Sequence, residues 1–329
     1  MANVVVGILD PNKISKSYLL TSEVLSKANS TTISELFMSA MNLLWPSGIR
    51  NDRVLLYLSD AAAYMVKSAK ILKVNFPHMI HITCIVHGLH RVAEQVRGLF
   101  PDVDALISNV KKILVKCNSR VQQFKEALDI PLPPQPVITR WGTWIEAAIY
   151  YAENFTAVKT FICEKLNSND AVSICNAQEL FRKNNILNDL LCIARNFSAL
   201  PTSIKKLEEK GQPLHESLHI YSEMTNLMNN LDVQLEPIRE KFTAVYNKNS
   251  GLHIMQSVLT KLKGVCSSDA PITFVQMSAD TLLCFKHAPL VTCEVERSFS
   301  RYRAIFRENR SSFKFDNLKM ILVIACDSQ

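Results

Sequence analysis

The sequence is poor in glycine, with eight glycines in 329 residues. This scarcity argues against a protein built from many tight turns and favours one dominated by helices. The nine cysteines form no C-x-x-C pair, so we expect free thiols in a reducing compartment and neither a disulfide framework nor a close-spaced zinc motif. No apolar run approaches the roughly 18 residues that a membrane span requires, and we therefore expect no membrane partner.

Charge and composition narrow the class of protein. The formal net charge is +7, which mildly favours an anionic partner. Apolar residues make up 48% of the chain and charged residues 20%, as in globular proteins that bury a core. The opening run MANVVVGILD has no basic region and its apolar stretch ends at Asp10, so a signal peptide is not expected.

The periodicity of apolar residues changes near residue 90. Before that point the pattern predicts the order β-β-α-β-α-β. The strands are predicted at 3–9, 17–25, 54–58 and 79–86, and the helices at 31–45, where Thr32 and Glu35 fit a capping box, and at 62–76. Beyond that point only amphipathic helices are predicted, including one over 105–128, and two helices close the chain. The fold class is therefore α/β plus a large all-α insertion.

Asp60 follows a strand pattern directly. Residues 54–58 are apolar and uncharged, which is typical of a strand buried on both faces, and helical spacing begins at Ala62. Asp60 is thus predicted at the carboxyl end of a strand, where open α/β sheets place their chemistry. The alternative role for this residue is a simple helix cap.

Four motifs occur in a fixed order along the chain. They are SDAAAYM (59–65), CIVHGLHRV (84–92), TRWGTW (139–144) and CEVERSFSRYRAIFRENR (293–310). Taken together, and at these distances, they resemble the hAT superfamily of cut-and-paste DNA transposases and the proteins domesticated from them. The resemblance covers nearly the whole chain and is densest at its two ends.

The resemblance implies a fold. Catalytic domains of this family have an RNase H-like core that a helical insertion interrupts. By this likeness residues 1–90 form the first part of the core, 91–285 the insertion, and 286–329 the end of the core together with the dimerisation region. The family's first strand, which carries its first catalytic aspartate, lies before the hairpin predicted at 3–25, so we expect an RNase H-like fold that lacks its first strand. That strand is central in the order 3-2-1-4-5, and its loss would leave unpaired edges on two neighbours.

The resemblance also implies a chemistry. The family uses three carboxylates to hold two divalent metals, Mg²⁺ or Mn²⁺, that activate an oxygen nucleophile toward a phosphodiester. Asp60 matches the second carboxylate and Glu296 the third, whereas Asp10 does not match the first. Cys84 and His87 match the family's C-x-x-H segment. A zinc site there would need about four ligands and usually a second close pair, so we expect a structural or substrate-positioning role.

Further matches concern DNA. By the resemblance Trp141 stacks on a flipped base and Arg140 lies near phosphate, although core packing is an equal alternative for Trp141 and the favoured role for Trp144. A row of arginines beside Glu296 suits phosphate, because guanidinium binds it bidentately. The members of that row considered as DNA contacts are Arg301, Arg303 and Arg307.

These expectations lead to three hypotheses for the function. The favoured one is a hAT-derived protein, nuclear in location, that lacks strand-transfer activity. It associates with DNA, forms a homodimer through residues 290–329, or does both. The second is a fragment of an active, metal-dependent transposase. The third is a pure protein-interaction module built on the C-terminal helices.

Overall fold

The computed structural model describes residues 1–14, 16–115, 117–137, 140, 142–264, 277–305 and 315–327. These residues divide into two compact units. The first comprises Met1–His87, Leu207–Tyr221 and Tyr246–Gln329, and the second comprises Gly88–Lys206 and Ser222–Val245. The first unit is α/β and the second is helical. The predicted α/β part with a large all-helical part is thereby confirmed, while the predicted boundaries at residues 90 and 285 stay predictions.

All the strands of the described chain lie in the first unit, in two separate pairs. Strands β1 (Ala2–Gly7) and β2 (Ser17–Glu23) pair antiparallel. Strands β3 (Leu56–Ser59) and β4 (Ile80–Thr83) pair parallel, with Leu56 opposite Ile80. No pairing joins β1 to β3 within the described ranges. The sheet is therefore split into a hairpin and a parallel pair.

Helices make up most of the remaining structure. In chain order they are α1 Ser30–Leu44, α2 Ala63–Lys73, α3 Ile85–Leu99, α4 Pro101–Val115, α5 Asn118–Ala127, α6 Gly142–Glu153, α7 Phe155–Thr160, α8 Val172–Arg182, α9 Ile186–Phe197, α10 Ala199–Glu208, α11 Leu214–Asn229, α12 Glu236–Tyr246, α13 Ser250–Leu262, α14 Ala279–Cys284, α15 Cys293–Ile305 and α16 Phe315–Asp327. Among the described residues, no helix is both long and apolar enough to span a bilayer.

Three local predictions were wrong in detail. The fourth strand ends at Thr83 and helix α3 begins at Ile85. The N–H of Ile85, which has no partner within the helix, donates to Leu290 O and not to the neighbouring strand. The helix predicted over 105–128 is interrupted at Cys117, which has extended backbone and separates α4 from α5. Helix α1 begins earlier than predicted, since Asn29 caps it and Thr32 completes the capping box in place of a Thr32–Glu35 pair.

Helix α13 covers the outer edge of β4. Asn249, the residue before α13, uses its side-chain amide as a neighbouring strand would: Thr83 N–H donates to its Oδ1 at 3.1 Å and its Nδ2 donates to Thr83 O at 2.7 Å. The buried Gly251 backbone lies directly against the carbonyl of His81. The first turn of α13 thus closes that edge of the parallel pair.

A large cavity separates the hairpin from the parallel pair. Its volume is about 1330 Å³, and its lining includes β1 and β3 along their whole lengths. Helix α1 contributes Phe37 and Met41 on one side, and the segment Pro289–Phe299 lies on the other. Leu56, Tyr57 and Leu58 are consequently only half-buried, although the sequence pattern predicted a strand buried on both faces.

The second unit has a well-filled helical core. Its largest fully buried side chains include Trp144, Phe124 and Phe161, which agrees with the core role favoured for Trp144. The indole of Trp144 donates to Asp104 Oδ1 at 3.0 Å, and Arg97 binds both oxygens of the same carboxylate. A buried polar contact therefore fixes the orientation of the tryptophan.

Gln178 on helix α8 supports an irregular stretch of backbone in this unit. Its buried amide donates to Ile162 O at 2.9 Å and Leu166 O at 3.0 Å, where the chain leaves a π-helical turn. We expect Gln178→Leu to lower the free energy of unfolding by about 1–3 kcal/mol, because two buried carbonyls lose their donor. Urea titration measures this, and Asn176→Leu, at an exposed position of α8, should change stability by less than about 0.5 kcal/mol. Equal losses in the two variants would contradict the assignment.

Candidate functional site

The parallel strands end side by side and deliver two predicted site residues to the same edge. Asp60 follows β3 and Cys84 follows β4, and Cys84 N–H donates to Ser59 O at 2.8 Å, which continues the ladder by one residue. One carboxylate oxygen of Asp60 accepts the N–H of Ala62 at 3.1 Å. Ala62, not Asp60, is the N-cap of α2, so Asp60 shapes the turn while its carboxylate lines the cavity.

The segment before helix α15 lies against this edge. Leu290 O accepts Ile85 N–H at 3.1 Å, and Thr292 N–H donates to the sulfur of Cys84 at 3.3 Å. These two backbone contacts fix the start of α15, whose first turn carries Glu296. Residues that are distant in sequence therefore line the same cavity, as Glu296 and Asp60 do.

His87, in the first turn of α3, lies beside the carboxylate of Glu296. Its Nε2 lies 3.4 Å from Glu296 Oε1, and both side chains are 39% exposed. The hydrogen bond with the Cys84 thiol is the largest cause that raises the pKa of His87, and the charges of Cys84, Glu296 and Asp60 act in the same direction. They outweigh the opposing effect of burial and bring the pKa to about 9. These interactions favour the protonated imidazole, whose buried Nδ1 meets no hydrogen-bond partner at ordinary distance among the described residues.

The thiol of Cys84 is buried, with 3% of the residue exposed. Burial raises the pKa of this thiol, but the hydrogen bonds from His87 and Thr292 and the positive charge of His87 outweigh it, so the net pKa lies below the ordinary value. Such a buried sulfur is not placed to attack a large substrate. Its contacts with His87 and Thr292 indicate that it holds the imidazole and the start of α15 in place.

The residues present do not form a three-ligand metal site. Across the described part of the chain, no group of three or more His, Cys, Asp and Glu side chains is arranged to hold a metal ion. Asp60 and Glu296 supply two oxygen ligands of the kind that Mg²⁺ and Mn²⁺ prefer. His87 lies beside Glu296, and the interactions that raise its pKa favour the protonated imidazole over a metal ligand. We derive no metal-dependent step from this site.

The predicted DNA contacts lie at different places in the structure. Arg140 is exposed beside an isolated bridge to Val137, and Arg303 is exposed on α15. Arg301 is half-buried and donates to Ala325 O at 3.2 Å, so it ties α15 to α16. Trp141 and Arg307 lie outside the described residues.

A polar chain behind Glu296 was not anticipated from the sequence. Ser22 Oγ donates to Asn3 Oδ1 at 2.7 Å, and Asn3 Nδ2 donates to Ser298 Oγ at 2.7 Å. Ser22 and Ser298 are both buried. The chain thereby attaches α15 to the hairpin two residues from Glu296. Single asparagine and serine residues so far apart in sequence carry no local signal of this contact.

Comparisons with known proteins do not assign a family. A search against models of protein families finds no match, and a search of curated proteins also finds none. The function is therefore inferred from the geometry of the site and from the motifs of the sequence.

The state of His87 leads to a pH prediction. We expect its imidazole to titrate with a midpoint near pH 9, followed by NMR of the ring protons. Cys84→Ala should lower the midpoint most and Glu296→Gln less, because the thiol contact is the larger cause of the raised pKa. The folded pKa exceeds the unfolded value of about 6.5. The stability that His87 contributes is therefore complete below about pH 6.5 and is lost as the pH rises through 9.

A midpoint for His87 near 6.5 in the native protein would contradict this assignment. Circular dichroism should show that the Cys84→Ala and Glu296→Gln variants keep the helical content of the wild type, so that a moved midpoint reports the loss of a local contact.

Proposed function

We propose that this protein is a hAT transposase-derived protein that lacks strand-transfer activity, associates with DNA in the nucleus and forms a homodimer. One observation carries the proposal. Asp60 and Glu296, the two carboxylates of the sequence resemblance, are distant in the chain yet line one cavity at the carboxyl edge of β3 and β4, where Glu296 lies 3.4 Å from His87. The C-x-x-H residues lie at the same place, which supports one ancestral site for three of the four motifs.

The split sheet supports an RNase H-like origin for the first unit. That fold would place a central strand between the hairpin and the parallel pair. A cavity of about 1330 Å³ lies between them here, and residues of β1, β2 and β3 line it. A strand paired with β1 and β3 would fill this space, as the central strand of that fold does.

The outer face of α16 supports self-association. Leu318 and Leu322 are buried, whereas Met320 and Ile324 are 57% and 66% exposed. Helix α16 packs on β2 and α15 with its buried face. The exposed residues lie one helical turn apart, so they form an apolar stripe directed away from those contacts. Exposed apolar stripes of this kind mark interfaces.

The test of the proposal combines DNA binding with cleavage. We expect the purified protein to bind a fluorescent duplex in an anisotropy assay with an affinity that falls as salt rises, because phosphate contacts release counterions. Arg140→Ala and Arg303→Ala should each reduce the slope of log K against log salt by about 1 if each arginine contacts one phosphate. Lys70→Ala, which removes an exposed charge on α2, should leave the slope unchanged.

The same preparation should neither cut nor join DNA in Mg²⁺ or Mn²⁺. Two carboxylates leave a metal pair under-coordinated. Robust activity that disappears in Asp60→Asn would favour the second hypothesis, a fragment of an active transposase. A stable dimer without salt-dependent DNA affinity would favour the third hypothesis, a pure interaction module.

A further inference from the structure

Helix α11 carries the sequence HESLH at residues 215–219, close to its start at Leu214. In this H-E-x-x-H pattern the two histidines are four residues apart, and a glutamate directly follows the first. On an α-helix that spacing puts both imidazoles on one face, where they can bind the same metal ion. The pattern has this meaning only where the residues are helical and the histidines face outward.

The backbone around the two histidines is helical from its first turn. Pro213 O accepts the N–H of Glu216 and of Ser217, both at 3.1 Å, so His215 lies within a closed turn. Cβ atoms of residues four apart on a helix are about 5–6 Å from each other. Two imidazoles at this separation can reach a shared ion at the usual Zn–N distance of about 2.0–2.1 Å.

Both histidines lie on the exposed face of α11 and are not part of the core. Leu214 and Leu218 are buried and occupy the opposite face. His215, Glu216 and His219 are exposed, and the side chain of His215 is 57% exposed. The two rings can therefore turn toward a shared ion without any change in the packing of the helix.

The carboxylate of Glu216 places negative charge beside the pair. Its Oε1 lies 3.9 Å from His215 Nε2, the ring nitrogen farther from the backbone. A cation bound at that nitrogen is stabilised by this charge. The carboxylate is also close enough to accept a hydrogen bond from a water molecule on the cation, and such outer contacts strengthen metal binding.

The pair defines a site with two protein ligands. Within the described ranges, no group of three or more His, Cys, Asp and Glu side chains is arranged to hold a metal ion. Water would therefore complete the coordination of an ion held by His215 and His219. Imidazole nitrogen suits Zn²⁺, whereas Mg²⁺ and Mn²⁺ prefer oxygen ligands. The metal preference expected here is thus the opposite of that expected for Asp60 and Glu296.

We propose that His215 and His219 bind one Zn²⁺ ion on the exposed face of α11, with water in the remaining positions and Glu216 as the acceptor for one of these waters. Zinc enzymes use a third protein ligand, so peptide hydrolysis is not part of the proposal. The site shares no residue with the lining of the cavity, and the inference holds whether or not the protein binds DNA.

The test is a Zn²⁺ titration of the full, reduced chain with isotope-labelled histidine rings, followed by NMR. We expect the ring signals of His215 and His219 to move together, at the same Zn²⁺ concentration, and Mg²⁺ to move neither. His253 is an exposed histidine of α13 with no other histidine within four residues. Its signal should need at least about tenfold more Zn²⁺ to move, because a single imidazole holds the ion weakly.

Single variants distinguish one shared ion from two independent imidazoles. In His215→Ala the signal of His219 should need at least about tenfold more Zn²⁺ to move, and the reverse should hold in His219→Ala. Glu216→Gln keeps both ligands and should weaken binding less than the loss of either histidine. The matched control, His253→Ala, should leave the titration of the pair unchanged. The proposal is overturned if either histidine titrates equally well without the other, if their signals move at different Zn²⁺ concentrations, or if Mg²⁺ moves them equally.

Discussion

The double variant Met320→Glu/Ile324→Glu is expected to run as a monomer of 37.1 kDa where the wild-type chain runs at twice that mass. The two side chains are 57% and 66% exposed on the outer face of α16, while Leu318 and Leu322 fill the buried face. In an interface between identical copies, each substitution places a carboxylate on both sides of the contact, and like charges without partners are strongly unfavourable there. Light scattering at micromolar concentration measures the mass.

The matched control for this variant carries the same charges on other helices. Leu43 and Val74 are exposed apolar residues of α1 and of the end of α2, and Leu43→Glu/Val74→Glu should leave the dimer intact. Circular dichroism must show that both double variants keep their helices. Leu322→Asp is unsuitable here, because Leu322 is 1% exposed and its substitution would damage the fold itself. A wild-type mass of 37.1 kDa would remove the homodimer from the proposal.

Gly251→Ala is expected to lower the free energy of unfolding by about 3 kcal/mol or more. A Cβ atom at Gly251 would lie 1.9 Å from His81 O and 2.9 Å from Ile82 Cγ1. The closest atom belongs to backbone inside β4, so no side-chain rotation relieves the overlap. Helix α13 must move away from β4, which also breaks the two hydrogen bonds between Asn249 and Thr83. Guanidinium unfolding followed by circular dichroism measures the loss.

Gly98→Ala provides the control for this effect. Gly98 is an exposed position of α3, and an added Cβ there meets nothing within 4 Å. Alanine should stabilise the helix by up to about 1 kcal/mol. The two variants make the same chemical change with opposite expected signs. Similar stability of both proteins would show that α13 does not press on β4 as described.

The sequence was informative where local pattern decides the structure. The switch from an apolar strand run to helical spacing placed Asp60 at the end of β3, and the motif order placed Glu296 on a helix. The end of β4 was mispredicted because Ile85 and Val86 suit a strand as well as a buried helix. The interruption at Cys117 fell inside a continuous apolar repeat, and that repeat alone predicted one long helix.

The parts of the site that escaped prediction depend on contacts between distant segments. The amide of Asn249 completes the edge of β4, and Asn3 reaches Ser298, yet neither asparagine belongs to a local pattern. The raised pKa of His87 depends on its motif neighbour Cys84 and also on Glu296 and Asp60, which come from other segments. The sequence predicted unpaired edges on two strands but not a cavity. The size of the cavity depends on how the helices hold the two strand pairs apart.

The first unit brings together the hairpin and helix α16, which are far apart in sequence. This separation affects folding during synthesis of the protein. Helix α16 packs on β2, and Lys319 pairs with Glu23. The hairpin leaves the ribosome before its cover, because 296 residues separate Glu23 from Lys319. Contacts with such long sequence separation form slowly. During translation, strands β1 and β2 therefore keep apolar surface exposed until α16 has been synthesised. Nascent chains of this protein should bind chaperones during that interval.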